Sequence, residues 1–217
     1  MKENPSSLET SAAADVGSKD AAFHASHLTR RLAMLAEYRL PDGVEHIKRI
    51  QAIAQILATE LGLDATMVHA ISETSQLHDV GMVAVPDTIL HKTEPLTPEE
   101  RDIIETHTTI GARFIGRPTT RLLRTARAVA LSHHECWDGS GYPNGKAGED
   151  IPIEARIVAV ADTFDALQSL RRHRKAIPIE MAAAVLEQGG GSRFDPAIVA
   201  ALIASLPSIS ELYKRRS

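Results

Sequence analysis

"IEARIVAVADTFDALQSL", residues 153–170, is a strongly apolar helical run carrying two aspartates. An unpaired carboxylate at Asp162 in such a helix would cost several kcal/mol of desolvation unless it met a cation. Asp165 follows one turn later on the same side. The neighbouring segments have the same period. Residues 21–38 and 44–61 read as helices joined by "LPDG", and on the second of them His46, Ile50, Ile53 and Leu57 step by four, three and four, turning His46 inward.

"LDATMVHAISETSQLHDVG", residues 63–81, starts at the N-cap Asp64 and ends where a C-terminal glycine belongs, at Gly81. That reading puts His78 and Asp79 in the last helical turn. In "LTPEERDIIETHTTIGARFIG", Thr97, Pro98 and Glu100 spell a capping box. Residues 120–134, "IPIEMAAAVLEQGG" and "DPAIVAALIASL" supply further helices, the last two separated by "GGGSRF". No segment sustains alternation of period two, so the expected fold is all-α with about seven to nine helices.

The chain has 217 residues, 43% hydrophobic, 24% charged and 4% aromatic, so alanine, leucine and isoleucine must fill most of one domain. A net charge of -4 gives no basic field for a nucleic-acid polymer. Cys136 is the only cysteine, which rules out an internal disulfide and points to a reducing compartment. Residues 1–20 lack the apolar run of a secretory signal and read as a flexible leader to a domain spanning 21–217. The apolar stretch at 197–206 is far shorter than the roughly 20 residues of a membrane span and reads as a core helix.

His46, His78, Asp79, His107, His133, His134 and Asp162 all fall on or near helix faces. Imidazoles and carboxylates converging in a helical core suit borderline or hard divalent metals such as iron and manganese. The adjacent pair His133 and His134 projects about 100 degrees apart around a helix, which allows service to two neighbouring metals.

These residues carry a resemblance. "HDVG", "HTTIG", "HHECWDGSGYPNGKAGEDIP" and "RIVAVADTFDAL", in that order and with "EHIKRI", "VPDTIL" and "SRFDP", resemble the HD-GYP family, the branch of the HD phosphohydrolases that degrades cyclic di-GMP. The similarity runs from about residue 43 to 195.

It implies an HD-domain helical bundle with two or three divalent metals, commonly iron or manganese. His46, His78, Asp79, His107, His133, His134 and Asp162 fall on the family's ligand positions, with Asp79 bridging two metals. His78, Asp79 and Asp165 are the implied catalytic group. The implied reaction is attack of a metal-bridging hydroxide on a 3',5'-phosphodiester, giving pGpG and in some members GMP. Arg171 matches the family arginine and Arg174 stands in for its lysine, two cations suited to the substrate phosphates, while Tyr142 lines the site wall. The Gly-Tyr-Pro loop is also associated with protein partners.

Two departures bear on function. Asp42 occupies the position of a family glutamate, and is either a ligand to a third metal or a turn or N-cap residue. Met82 stands where members usually carry lysine, and a thioether cannot replace that charge. The alternative to a phosphodiesterase is therefore a catalytically weak module that binds metal and cyclic di-GMP or a partner protein and signals by contact.

Overall fold

The computed structural model describes residues 27–39, 42–169 and 176–214; the expected leader and both Arg171 and Arg174 lie outside the described residues. The elements are α1 (27–37), α2 (Gly43–Glu60), α3 (Ala65–Ser75), α4 (Asp87–Leu90), α5 (Pro98–Ile115), α6 (Arg121–Ser132), α7 (Ile153–Gln168), α8 (Ile179–Gln188) and α9 (Pro196–Lys214). Short 3-10 turns occupy Val80–Ala84 and Gly148–Asp150, and the described residues form no strand beyond isolated bridges. The fold is all-α, as the periodicity requires.

Helix α7 is the axis. Ala155, Ile157, Val158, Val160, Ala161, Phe164 and Leu167 are buried on several of its faces, because α2, α6, α8 and α9 surround it. Each fully buried large apolar side chain contributes about 1.5–3 kcal/mol. A side chain projecting from α7 therefore enters the interior. Helix α2 brings Ile50, Ile53 and Leu57 to the same core, with His46 one turn ahead of Ile50.

The two caps read from the sequence are in place: Asp64 accepts from the Met67 N–H at 2.9 Å, and Thr97 and Glu100 form the reciprocal box. Thr120, which the sequence reading did not single out as a cap, accepts from the Leu123 N–H at 3.2 Å. Two helix ends differ from expectation. Helix α3 stops at Ser75, since Thr74 and Ser75 hydroxyls donate to the carbonyls of Ala70 and Ser72 and the backbone tightens into successive turns. His78 and Asp79 consequently sit in the turn after the helix, and Gly81 is not its C-terminal glycine.

Helix α9 continues through Pro207 to Lys214, eight residues past the apolar stretch that announced it. It is the one helix among the described residues long and apolar enough to cross a membrane. One face of it, with Ile198, Val199, Leu202 and Ile209, is packed into the core.

Candidate metal centre

Five histidine rings form one contiguous cluster. His46 meets His78 with ring centroids 5.6 Å apart, His78 meets His133 at 5.2 Å, His107 meets His133 at 5.3 Å and His134 lies 4.1 Å from His133. They come from the first turn of α2, the turn after α3, the middle of α5 and the end of α6, where His133 is the C-cap. The cluster thus draws on four separate segments of the chain.

Four of these rings are held by the same device. Nδ1–H of His78, His107 and His133 donates to the carbonyl oxygens of Ser75, Ile104 and Val129 at 2.9, 2.7 and 2.9 Å. Nδ1–H of His46 donates to Asp165 Oδ2 at 2.7 Å. An imidazole whose Nδ1 carries the proton presents a lone pair on Nε2. Those lone pairs converge: Nε2 of His107 and of His133 lie 3.4 Å apart, and 3.2 and 3.4 Å from Asp79 Oδ1.

The second oxygen of Asp79 faces the other way, 3.5 Å from His78 Nε2. Asp79 Oδ1 and His78 Nε2 are buried and make no hydrogen bond of ordinary geometry. Lone pairs and a carboxylate turned on one another at such separations repel unless a cation stands between them. The donor atoms of Asp79, His107, His133 and His134 lie within 4.8 Å of one another, and so do those of Glu37, His46 and His78. The residues present fit divalent metal.

Electrostatics agree with that fit. Burial pushes the Asp79 carboxyl up, yet the imidazoles of His78, His107 and His133 hold it well below the ordinary carboxylate range. Burial pulls His46 and His107 down, but Asp165 and Asp162 raise the first and Asp79 raises the second, each ending above its usual value. Burial and the neighbouring His133 push His134 well down, so it stays neutral and ready to ligate.

The remaining expected site residues are placed as follows. Asp162 Oδ1 is 3.6 Å from His46 Nε2, at the half-exposed edge of the cluster. Asp165 has no exposed surface: Arg49 grips both its oxygens, and Tyr213 O–H donates to Oδ1 at 2.7 Å. Burial raises the Asp165 carboxyl, but His46 and Arg49 overcome it and leave the group strongly depressed. It faces His46 rather than the open side of the site. Asp42, in a left-handed conformation with φ 67°, makes no side-chain cap and accepts from Arg49 at 3.0 Å instead.

Tyr142 stacks on His134 at 4.8 Å and forms a wall beside it. Its loop is clamped from inside by buried Glu135, whose two oxygens accept from the N–H groups of Asn144 and Lys146 at 2.9 and 3.0 Å. Trp137 and Asp138 donate their N–H groups to the carbonyls of Arg193 and Ser192. At Gly141 a Cβ would fall 2.2 Å from the Cys136 nitrogen and 2.5 Å from the His134 carbonyl oxygen, so only glycine lets the loop fold over the histidine pair.

Sequence reading missed Glu37, Arg49, Glu135 and Tyr213. Arg49 had a signal, since a charge among Ile50 and Ile53 on the inward face of α2 needs a buried partner. Tyr213 had none.

Residues 30–198 match the sequence profile of the HD domain. The chain belongs to the HD domain family. It is 40% identical over 184 residues to a Thermotoga maritima protein named cyclic di-GMP phosphodiesterase, covering 85% of this chain and 50% of that one. It is also 40% identical to the Xanthomonas campestris cyclic di-GMP phosphodiesterase response regulator RpfG, covering 84% of this chain and 48% of the relative. The HD domain described here therefore spans about half the length of these relatives. Among solved structures, an HDG"Y"P protein from Bdellovibrio bacteriovorus superposes with a TM-score of 0.62 at 19% identity, over 89% of this chain and 62% of that one. That likeness speaks for the fold.

Proposed function

We propose that this domain is a metal-dependent phosphodiesterase of the HD-GYP branch that opens a 3',5'-phosphodiester of cyclic di-GMP to give pGpG and, after a second cut, GMP. The observation that carries the reading is the convergence of histidine Nε2 lone pairs on the two oxygens of Asp79. The names of the relatives supply the substrate class.

In this reading His46, His78, Asp79, His107, His133, His134 and Asp162 hold two or three divalent ions, iron or manganese. Bound ions of this kind lower the pKa of water and neutralise charge on phosphoryl oxygens. Asp79, with one oxygen toward each group of histidines, suits a bridging position. Asp165 acts through His46, fixing its tautomer and ring plane, and is a positioning residue. Arg171 and Arg174 pair with the substrate phosphates, and Tyr142 borders the entrance. The setting is cytoplasmic, and the Gly-Tyr-Pro loop is offered to a signalling partner.

The test is anaerobic incubation of iron- or manganese-loaded protein with cyclic di-GMP, and separately with 3',3'-cGAMP, followed by chromatography. Product from the unmutated protein and none from Asp79→Ala is expected. Bound dinucleotide without product would refute hydrolysis and assign the domain to signalling by contact, the outcome that Met82 favours.

A further inference from the structure

Helix α1 contributes a carboxylate to the centre that no motif announces. Glu37, only 2% exposed, brings an oxygen within 4.8 Å of a ring nitrogen of both His46 and His78. We propose that Glu37, His46 and His78 form a metal pocket of their own beside the one around Asp79, and that Glu37, not Asp42, is its carboxylate ligand. This rests on the reading of the site as a metal centre.

The approach of α1 is built into the backbone. A Cβ at Gly43 would lie 2.3 Å from the Glu37 carbonyl oxygen and 2.8 Å from the Glu37 Cβ, contacts that no larger residue survives. Glycine at the start of α2 therefore lets the last turn of α1 lie directly over it and carries Glu37 to the histidines. Both rings have Nδ1 committed, to Asp165 and to the Ser75 carbonyl, so Nε2 is the nitrogen each has left for a ligand. Two imidazole nitrogens and one carboxylate make a donor set suited to zinc, iron or manganese. Asp79 Oδ2, 3.5 Å from His78 Nε2, lies at the border with the neighbouring cluster.

Asp42 is the carboxylate closer in sequence to His46, but its geometry points elsewhere. Its Oδ2 takes an N–H of Arg49, and Arg49 is itself gripped by Asp165. Turning Asp42 toward His46 would strip one acceptor from a buried guanidinium, a loss on the scale of a charged hydrogen bond.

The experiment counts manganese(II) per chain by mass spectrometry after gel filtration, in the full chain and in Glu37→Gln, Glu37→Asp and Asp42→Asn, alongside melting of each protein with and without metal. Glu37→Gln is expected to retain one ion fewer than the unmutated protein, and Asp42→Asn the same number. Metal-free Glu37→Gln, which keeps the size of the side chain, should still give one cooperative melt. Its gain in melting temperature on adding manganese should be smaller.

Glu37→Asp keeps the charge but retracts the oxygen by one methylene, and should weaken the last ion by at least about tenfold. Equal counts in all four proteins, or a loss in Asp42→Asn as large as in Glu37→Gln, would overturn the assignment. An unmutated protein that takes up no divalent ion would instead overturn the metal centre itself, whatever becomes of Glu37.

Discussion

Asp165 Oδ2 lies 2.7 Å from His46 Nδ1 while the rest of the carboxylate is enclosed by Arg49, Ser169 and Tyr213. The pair joins the core of α7 to the rim of the site, since the same carboxylate that neutralises a buried guanidinium also sets which nitrogen of His46 is free. Replacing it by asparagine removes the charge and keeps the size. Asp165→Asn should lose about 3–5 kcal/mol of stability by stranding Arg49, and about 10- to 100-fold in metal affinity through His46. Urea melts and manganese titrations of the same preparation separate the two effects; unchanged metal affinity would sink the positioning role.

Tyr213 reaches Asp165 from the far end of α9. Tyr213→Phe deletes one hydrogen bond to a charged acceptor and leaves the ring in place, so a loss of about 1.5–3 kcal/mol is expected. Arg49 still holds the carboxylate, and the fall in metal affinity should be smaller than for Asp165→Asn. A larger fall would mean that Tyr213, rather than Arg49, sets the angle of Asp165.

Much of this was readable in the residues. The unbroken apolar run around Asp162 forced a buried α7, and Asp64 and Thr97 cap helices because short polar side chains satisfy free N–H groups locally. What could not be read depends on partners distant in the chain. Gly81 looks like a helix terminator because glycine has two uses, and only packing against α5 reveals the second. Asp165 carries no mark that it turns toward Arg49 and not toward solvent. Tyr213 lies beyond Pro207, where a helix written in propensities would have stopped.

Gly81 therefore makes its own prediction. A Cβ there would fall 1.9 Å from the His107 carbonyl oxygen and 2.6 Å from the Gly111 nitrogen, backbone against backbone. Gly81→Ala must push the turn off α5 and carry Asp79 with it. Destabilisation of at least about 1–3 kcal/mol is expected, together with loss of bound metal, read by denaturant melts and metal counting. Normal metal content would show that the turn can shift without moving Asp79.

Met82 tests the missing cation. Met82→Lys returns an ammonium beside the HDVG turn, whose backbone is already fixed by Arg39 donating to the Met82 carbonyl at 2.8 Å. If the phosphate lacks a charge partner there, turnover of cyclic di-GMP should rise, by up to about 100-fold for one well-placed donor. Unchanged kcat/KM would show that the thioether is no handicap.

Metal uptake should depend steeply on pH, and the sign follows from the histidines. His46 and His107 have folded-state values raised above 6.5, by Asp165 and Asp79 respectively, against the pull of burial. In metal-free protein these two groups stabilise the fold fully below pH about 6.5, and that contribution is lost as pH rises through their folded values. Metal needs the same Nε2 lone pairs that the extra protons occupy, so binding must expel them. His133 and His134, both lowered by burial, are already neutral and release none. Apparent manganese affinity should therefore climb as pH rises through those raised values, by about tenfold per unit for each proton displaced, and level off above them. Calorimetric titration in two buffers of different ionisation enthalpy counts the protons directly. Release at low pH that fades at high pH is expected, and an affinity flat across this range would mean that neither His46 nor His107 gives up a proton to the metal.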